Sequence, residues 1–301
     1  MTARRPWPLP PSDGVLVHHV SDTHFGYRPW SYAEGDHMAA DLRDNLVPVP
    51  DALIHTGDIT DRGRAAEDRY ALGWLPAAAR GAPDLWAMGN HDVRDRPVHT
   101  RETWEKVYGR PANTFLDVKG YRFVAFAADD FTGDQGIWTI PDATWTWLDG
   151  VVGAAPGPVV LVNHFPPREL GVSARNALQP AAKLDAFAGD HPAITGYLCG
   201  HMHKALDDPS AAQFVRLGGR SLPVLCDISS MLSPDVVRQG ESTLVRDRSA
   251  QVQSYSAFVT LRETRWEIRY RAHGTRGWSG PGGNRVTSLD LRTSAVTRTM
   301  G

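Results

Sequence analysis

Short apolar runs recur through the first two hundred positions, and most are followed by a stretch with helical spacing. Residues 15–20, 52–55, 84–88, 121–127, 158–162 and 194–199 read as strands. Residues 34–46, 65–80, 143–152 and 180–187 carry helix-like patterns, and Pro76 stands where it kinks or shortens the second of these. Such alternation predicts βαβ units around a largely parallel α/β core sheet.

Beyond residue 210 the pattern changes. Residues 214–217 and 222–226 read as strands joined by Gly218-Gly219-Arg220. Residues 255–261 and 266–272 read as a hairpin in which Trp266, Ile268 and Tyr270 alternate with Glu267, Arg269 and Arg271. These four segments predict a second, more antiparallel sheet. From Gly274 onward Gly, Ser, Thr and Arg dominate without period, so residues 274–301 read as a flexible C-terminal tail. No repeat or linker divides the rest, which reads as one domain over residues 1–273 with an N-terminal arm at 1–13.

Composition narrows the function classes. A net charge of -2, from 32 basic and 34 acidic side chains, argues against a stable nucleic-acid partner, which usually shows as a basic excess. A phosphate ester remains open as substrate, because bound metal ions supply their own positive field. Cys199 and Cys226 each fall in an apolar run and read as small buried hydrophobes, not as a disulfide framework. The two arginines near the start precede no apolar core of a signal peptide, and no run approaches the ~20 apolar residues of a membrane span. A cytoplasmic protein with no membrane partner is the expectation; the number of subunits is left open.

Five polar segments follow strand-like runs: Ser21-Asp22-Thr23-His24, Thr56-Gly57-Asp58, Gly89-Asn90-His91-Asp92, Asn163-His164-Phe165-Pro166 and Gly200-His201-Met202-His203. Sites in open α/β sheets gather at the carboxyl ends of strands, so all five can converge on one crevice. Singly, each is weak, since Asp-x-His and Gly-Asp are more often turns. Together they demand five coincidences in one chain. Imidazole, carboxylate and amide oxygen suit Mn, Fe or Zn better than Ca or Mg, and the absence of cysteine disfavours a structural zinc site.

In type and order these segments resemble the signature of the calcineurin-like metallophosphoesterase superfamily, from Asp22 to His203. The words His55-Thr56-Gly57-Asp58-Ile59-Thr60-Asp61-Arg62-Gly63 and Leu198-Cys199-Gly200-His201-Met202-His203 resemble its class III cyclic nucleotide phosphodiesterase branch. The resemblance implies a four-layer α/β/β/α sandwich of two mixed sheets, with the metal site at the strand carboxyl ends. It implies two divalent metal ions, one held by Asp22, His24 and His203, the other by Asn90, His164 and His201, with Asp58 bridging. His91 is then a catalytic residue beside the leaving group, oriented by Asp92. The implied activity is hydrolysis of a phosphate ester by a metal-activated hydroxide, in particular phosphodiesterase action on a small-molecule or nucleotide substrate. A DNA nuclease of the same superfamily, and a non-catalytic binding module, are the alternatives; the balanced charge weighs against the first and the complete motif set against the second.

Several residues are read as structural. His18, His19 and His55 lie inside strands and read as core or supporting histidines; His37, His99 and His191 read as solvated. Asp61, Arg62 and Gly63 read as a turn, with Arg62 able to face substrate. Tyr27, Trp30 and Tyr32 either stack on a substrate ring or anchor their loop. Selectivity is expected from loops 25–34, 168–176 and 229–240.

Overall fold

Every position of the first strand, β1 (Val15–Val20), is buried, so the sheet that contains it is covered on both faces. It is followed by α1 (Pro29–Asp44), β2 (Ala52–His55), α2 (Ala65–Ala79) and β3 (Asp84–Trp86). Next come α3 (Arg101–Tyr108), β4 (Thr114–Val118), β5 (Tyr121–Ala125), β6 (Asp130–Thr132) and β7 (Ile137–Thr139). The alternating part ends with α4 (Asp142–Gly153), β8 (Val159–Val162), α5 (Ala181–Asp190) and β9 (Ile194–Lys204). The remaining strands are β10 (Ala212–Leu217), β11 (Arg220–Ile228), β12 (Tyr255–Arg262), β13 (Arg265–Ala272), β14 (Gly277–Trp278), β15 (Arg285–Asp290) and β16 (Ala295–Met300). This computed structural model describes residues 14–27, 29–44, 48–95, 100–128, 130–132, 137–204, 208–228, 254–273, 277–278 and 285–300. The arm at 1–13, His99 and the loop 229–240 lie outside them.

Two mixed sheets form. One has the order β16-β15-β13-β12-β1-β2-β3, with β14 on β13; the other runs β10-β11-β9-β8-β5-β4. The parallel strands are thus divided between two sheets, β1-β2-β3 in one and β5-β8-β9-β11 in the other, instead of forming a single core sheet. The hairpin β12–β13 also differs from its sequence reading. It pairs antiparallel with β1, Val17 opposite Val259, and extends the first sheet, while β10–β11 extends the second.

Alternate residues explain the layers. Val15, Val17, Ala52 and Ile54 of one sheet join Phe123, Ala125, Val160 and Val162 of the other in one apolar cluster between the sheets. The opposite parity, Leu16, Val20 and Leu53, clusters with Met38 and Leu42 of α1 and Leu75 and Ala78 of α2. On the second sheet Val124, Leu161 and Tyr197 do the same with Trp145 and Leu148 of α4 and Leu184 of α5. The result is an α/β/β/α sandwich.

Part of the stretch read as a tail is sheet. β15 pairs with β13, placing Leu289 opposite Trp266, and both side chains are fully buried. Pro76 does not shorten α2, which runs to Ala79 and closes with Arg80 in the left-handed conformation, its N–H donating to the Pro76 carbonyl. Among the described residues no helix is long and apolar enough to cross a membrane.

Candidate metal centre

The carboxyl ends of β1, β2, β3 and β8, with the final turn of β9, carry the five polar segments. Their backbone is unusual. Asp22, His24, Asp58, His201 and His203 have φ of 51°, 42°, 51°, 67° and 45°. They are five of the eight described non-glycine residues with positive φ, a region L side chains occupy only when surroundings hold them there. Those surroundings are a lattice of backbone bonds between strand ends. Asp22 N–H donates to the Gly57 carbonyl, His24 N–H to the Asp58 carbonyl and Gly200 N–H to the His164 carbonyl, each at 3.0 Å. The His201 N–H lies 3.2 Å from both carboxylate oxygens of Asp22. Gly89 and Gly200 are required by close approach, since a Cβ would collide with the Asp58 amide at the first and with the Ser21 hydroxyl at the second.

Three groups of ligand-type atoms result; His24, Asp61 and His91 form one, and the other two share Asp58. Asp22, His24, Asp58 and His203 present one atom each within 4.8 Å of one another; so do Asp58, His164 and His201. His203 Nε2 lies 3.1 Å from Asp22 Oδ1 and 3.1 Å from His24 Nε2. Asp58 Oδ2 is 3.7 Å from His24 Nε2 and 3.2 Å from His164 Nε2, which is 3.2 Å from His201 Nδ1. Asp58 therefore belongs to two of the three groups. His164 has its other nitrogen, Nδ1, 2.9 Å from the Thr56 carbonyl, so it donates there and turns the Nε2 lone pair toward Asp58.

Burial works against ionising Asp58, yet the imidazoles of His164 and His91 hold its carboxyl well below the usual range. His164 answers in kind: burial lowers its pKa, but the Asp58 carboxylate outweighs this and raises it to about 9. Burial with His164 alongside pushes His201 down to about 3. Such a dense, buried set of carboxylates and lone pairs is the environment a divalent cation stabilises. One further atom fits the same reading. Asn90 Oδ1 is buried with no hydrogen-bond partner among the described residues, a costly state for an amide oxygen and one that a cation relieves.

His91 stands at the edge of this cluster. Its N–H donates to Asp58 Oδ1 at 2.7 Å, and its Nδ1 donates to the Asp61 carbonyl at 2.8 Å, which leaves Nε2 for a ligand. Asp61 Oδ1 is 3.4 Å from His91 Nδ1 and 3.5 Å from His24 Nδ1. The residue read as a turn is thus what orients His91. Asp92 does not hold that ring; its carboxylate accepts from Thr60 N–H and Gly89 N–H, both at 2.9 Å, bracing the loops that carry Asp58 and Asn90. Burial, with Asp58 nearby, raises the pKa of Asp92 to about 7. The sequence does hold a signal for Asp61, the spacing Asp58-x-x-Asp61, but its partner is 30 residues away along the chain.

The strand histidines are structural. His19 Nε2 lies 3.0 Å from Thr56 Oγ1, and His55 lies 3.2 Å from both Thr23 Oγ1 and the Gly57 N–H. Burial pushes both down to about 3, with His55 adding to the effect at His19, and His164 adding to it at His55 against the opposing Asp22 carboxylate. Tyr32 stacks on Phe25 and meets Tyr70 edge-on, so it anchors the loop after the first motif, whereas Tyr27 is 40% exposed.

The sequence of this site and its frame is that of a known family. The model of the Calcineurin-like phosphoesterase family matches residues 15–205, and the chain belongs to that family. Among its relatives, a probable cyclic nucleotide phosphodiesterase of Rhodococcus erythropolis is 30% identical over 199 residues, 62% of this chain and 64% of that protein. A cAMP/cGMP dual specificity phosphodiesterase of Mycobacterium tuberculosis is 38% identical over 204 residues, 64% of this chain and 63% of the relative. In both cases the chain spans a little under two thirds of the relative's length. The fold is shared with a dimetal phosphatase from Danio rerio, with a TM-score of 0.58 and 12% identity over 87% of this chain and 97% of that one.

Proposed function

We propose that the protein is a dinuclear-metal phosphoesterase that hydrolyses phosphodiesters of small molecules or nucleotides. The observation that carries this reading is Asp58, whose carboxylate belongs to two of the three ligand groups while its Oδ1 accepts the N–H of His91. Asp22, His24 and His203 would hold one divalent cation, Asn90, His164 and His201 the other, and Asp58 both, with Mn, Fe or Zn the candidates by donor type. Two such cations, when bound, would supply the positive charge that lowers the pKa of water and neutralises charge developing on the phosphoryl oxygens.

The chain's own groups do the rest. Thr56 fixes the ring of His164 and Asp61 that of His91, so each presents Nε2 inward. His91 then gives its Nε2 proton to the departing oxygen, a role worth about 10²–10⁴-fold. The relatives named as cyclic nucleotide phosphodiesterases support a nucleotide diester as substrate.

The test is hydrolysis by Mn-loaded protein of bis-p-nitrophenyl phosphate, p-nitrophenyl phosphate, cyclic AMP and single-stranded DNA. Diester hydrolysis that disappears in Asp58→Ala together with bound metal is the expected result. Full activity of metal-loaded Asp58→Ala, or turnover of DNA alone, would overturn the proposal.

A further inference from the structure

One charge at the mouth of the site has no task in this scheme. Arg94 closes the tight turn begun by His91, its N–H donating to the His91 carbonyl at 3.1 Å. Its Nη1 lies 3.3 Å from Nδ1 and 3.4 Å from Nε2 of the His91 ring. Two other described arginines of this rim, Arg62 and Arg64, are already paired. Arg64 holds Asp95 at 2.9 Å, and Arg62 lies 3.4 Å from Asp95 and 3.4 Å from Asp61. Among the described residues Arg94 has no carboxylate partner, and it is exposed. It therefore offers a guanidinium, with donors to spare, beside the nitrogen that meets the leaving oxygen.

We infer that Arg94 binds a second phosphoryl group on the leaving side of the scissile bond, which makes pyrophosphate-linked diesters the substrate class this site favours. The inference rests on the phosphoesterase reading above. In a P–O–P link the oxygen that departs is bonded directly to the second phosphorus, whose free oxygens lie next to it. They come within reach of a donor held against the His91 ring, and a guanidinium matches phosphoryl oxygens with two parallel N–H bonds. An alkyl or sugar leaving group offers Arg94 nothing comparable. In the reaction, water adds to the phosphorus at the ligand cluster and loses a proton to solvent. The bond from that phosphorus to the bridging oxygen breaks, and the bridging oxygen keeps the electron pair. That oxygen takes the Nε2 proton of His91, which solvent restores. One water is consumed and two phosphate monoesters leave.

The test compares two substrates that differ only in the second phosphate, the methyl esters of uridine 5'-monophosphate and uridine 5'-diphosphate, with bis-p-nitrophenyl phosphate as reference. Wild-type metal-loaded protein should prefer the diphosphate ester in kcat/KM. In Arg94→Gln that preference should fall about 30-fold, the scale of one charge-assisted hydrogen bond, and Arg94→Lys should recover part of it. Calorimetric binding supplies a readout without turnover: α,β-methylene-UDP should bind wild type more tightly than UMP does, and Arg94→Gln should erase the difference. No preference in wild type, or an unchanged preference in Arg94→Gln, overturns the inference. So does an equal loss on all three substrates with a displaced pH profile, which would make Arg94 a positioning residue for His91. An enzyme active on bis-p-nitrophenyl phosphate but without the preference keeps the phosphoesterase reading and loses this one; a wild type inactive on every ester loses both.

Discussion

Among the described residues two buried clusters of histidine and aspartate stand out, and only one gathers ligand-type atoms that could hold a cation. Around Asp41 in α1 every donor has an acceptor. Arg271 donates to both Asp41 oxygens at 2.7 and 2.6 Å, and His273 Nδ1 donates to Asp41 at 2.9 Å. His273 Nε2 then accepts from Ser256 Oγ at 2.8 Å, and that oxygen accepts from His18 Nε2 at 2.8 Å. Ser256, His273 and Asp41 even stand in the order nucleophile, base and orienting acid, but none is more than 1% exposed, so no substrate reaches the hydroxyl. Around Asp58 the pattern is inverted. Ring nitrogens converge on one another and on carboxylates, and Asn90 Oδ1 has no donor among the described residues. The residue types are the same; in the polar chain only the His18 Nδ1 lone pair lacks a described donor, whereas around Asp58 several lone pairs converge on one place, and that convergence separates a cation site from a structural polar chain.

The comparison breaks hardest at the two aspartates. Asp58→Ala should lower kcat/KM by about 10³-fold or more and remove bound metal, measured by diester hydrolysis and elemental analysis. Asp41→Ala should leave metal content and kcat of the folded protein unchanged. It strands Arg271 and His273 in the core, so its cost falls on stability, about 3–5 kcal/mol by urea unfolding. If folded Asp41→Ala loses its metal, the two clusters are one functional unit and the contrast fails.

A smaller effect separates Asp61 from Asp92. Asp61→Asn should lower kcat about 10–100-fold while metal content holds, because it acts through the orientation of His91. Asp92→Asn should show first in the unfolding midpoint, by about 1–3 kcal/mol, since its carboxylate serves two buried backbone N–H groups. Equal kcat losses in the two variants would return to Asp92 the orienting role that the sequence suggests.

That exchange shows where the sequence stops being legible. β1, β2 and the five motif segments are readable because each places polar ligands directly after a run of buried residues. Asp61 is not, since its partners are set by how two loops meet in space. α3 escapes because only Trp104 and Tyr108 of its eight residues are buried. β4 escapes because it is an edge strand with Phe115 45% exposed. The β15–β16 hairpin has little apolar content, and among its residues of described burial only Thr287 and Leu289 are buried. β9 runs past Cys199 to Lys204, but its last residues are ligands whose positive φ erases strand periodicity. The assignment of β12–β13 to the wrong sheet has the same root, since register with β1 is a long-range fact.

The smallest effect tests the polar chain by its protons. Burial, with His273 and His19 nearby, holds His18 well below 6.5, and burial lowers His273 despite the opposing Asp41 carboxylate. Both rings are thus kept neutral in the fold while the unfolded chain takes up protons below about 6.5. Their contribution to stability is complete above that pH and is lost as pH falls below it, at about 1.4 kcal/mol per pH unit for each ring. Asp41 behaves differently. Burial alone would raise its pKa, but hydrogen bonds from Arg271 and His273 bring it to about 2, so its contribution persists above about 3.8 and disappears only between there and 2. Arg80 and His55 also face His18, and neither changes the sign. Chemical unfolding at pH 8, 6.5 and 5.5 in an Asp58→Ala background removes the contribution of bound metal, and the buried His19 and His55, which titrate over the same range, weigh alike on any two proteins compared there. Adding His18→Gln should flatten the fall between pH 6.5 and 5.5 by about 1 kcal/mol. An equally steep fall in both proteins would mean that His18 accepts a proton inside the fold at no cost, and that its buried Nδ1, without a partner here, finds one when charged.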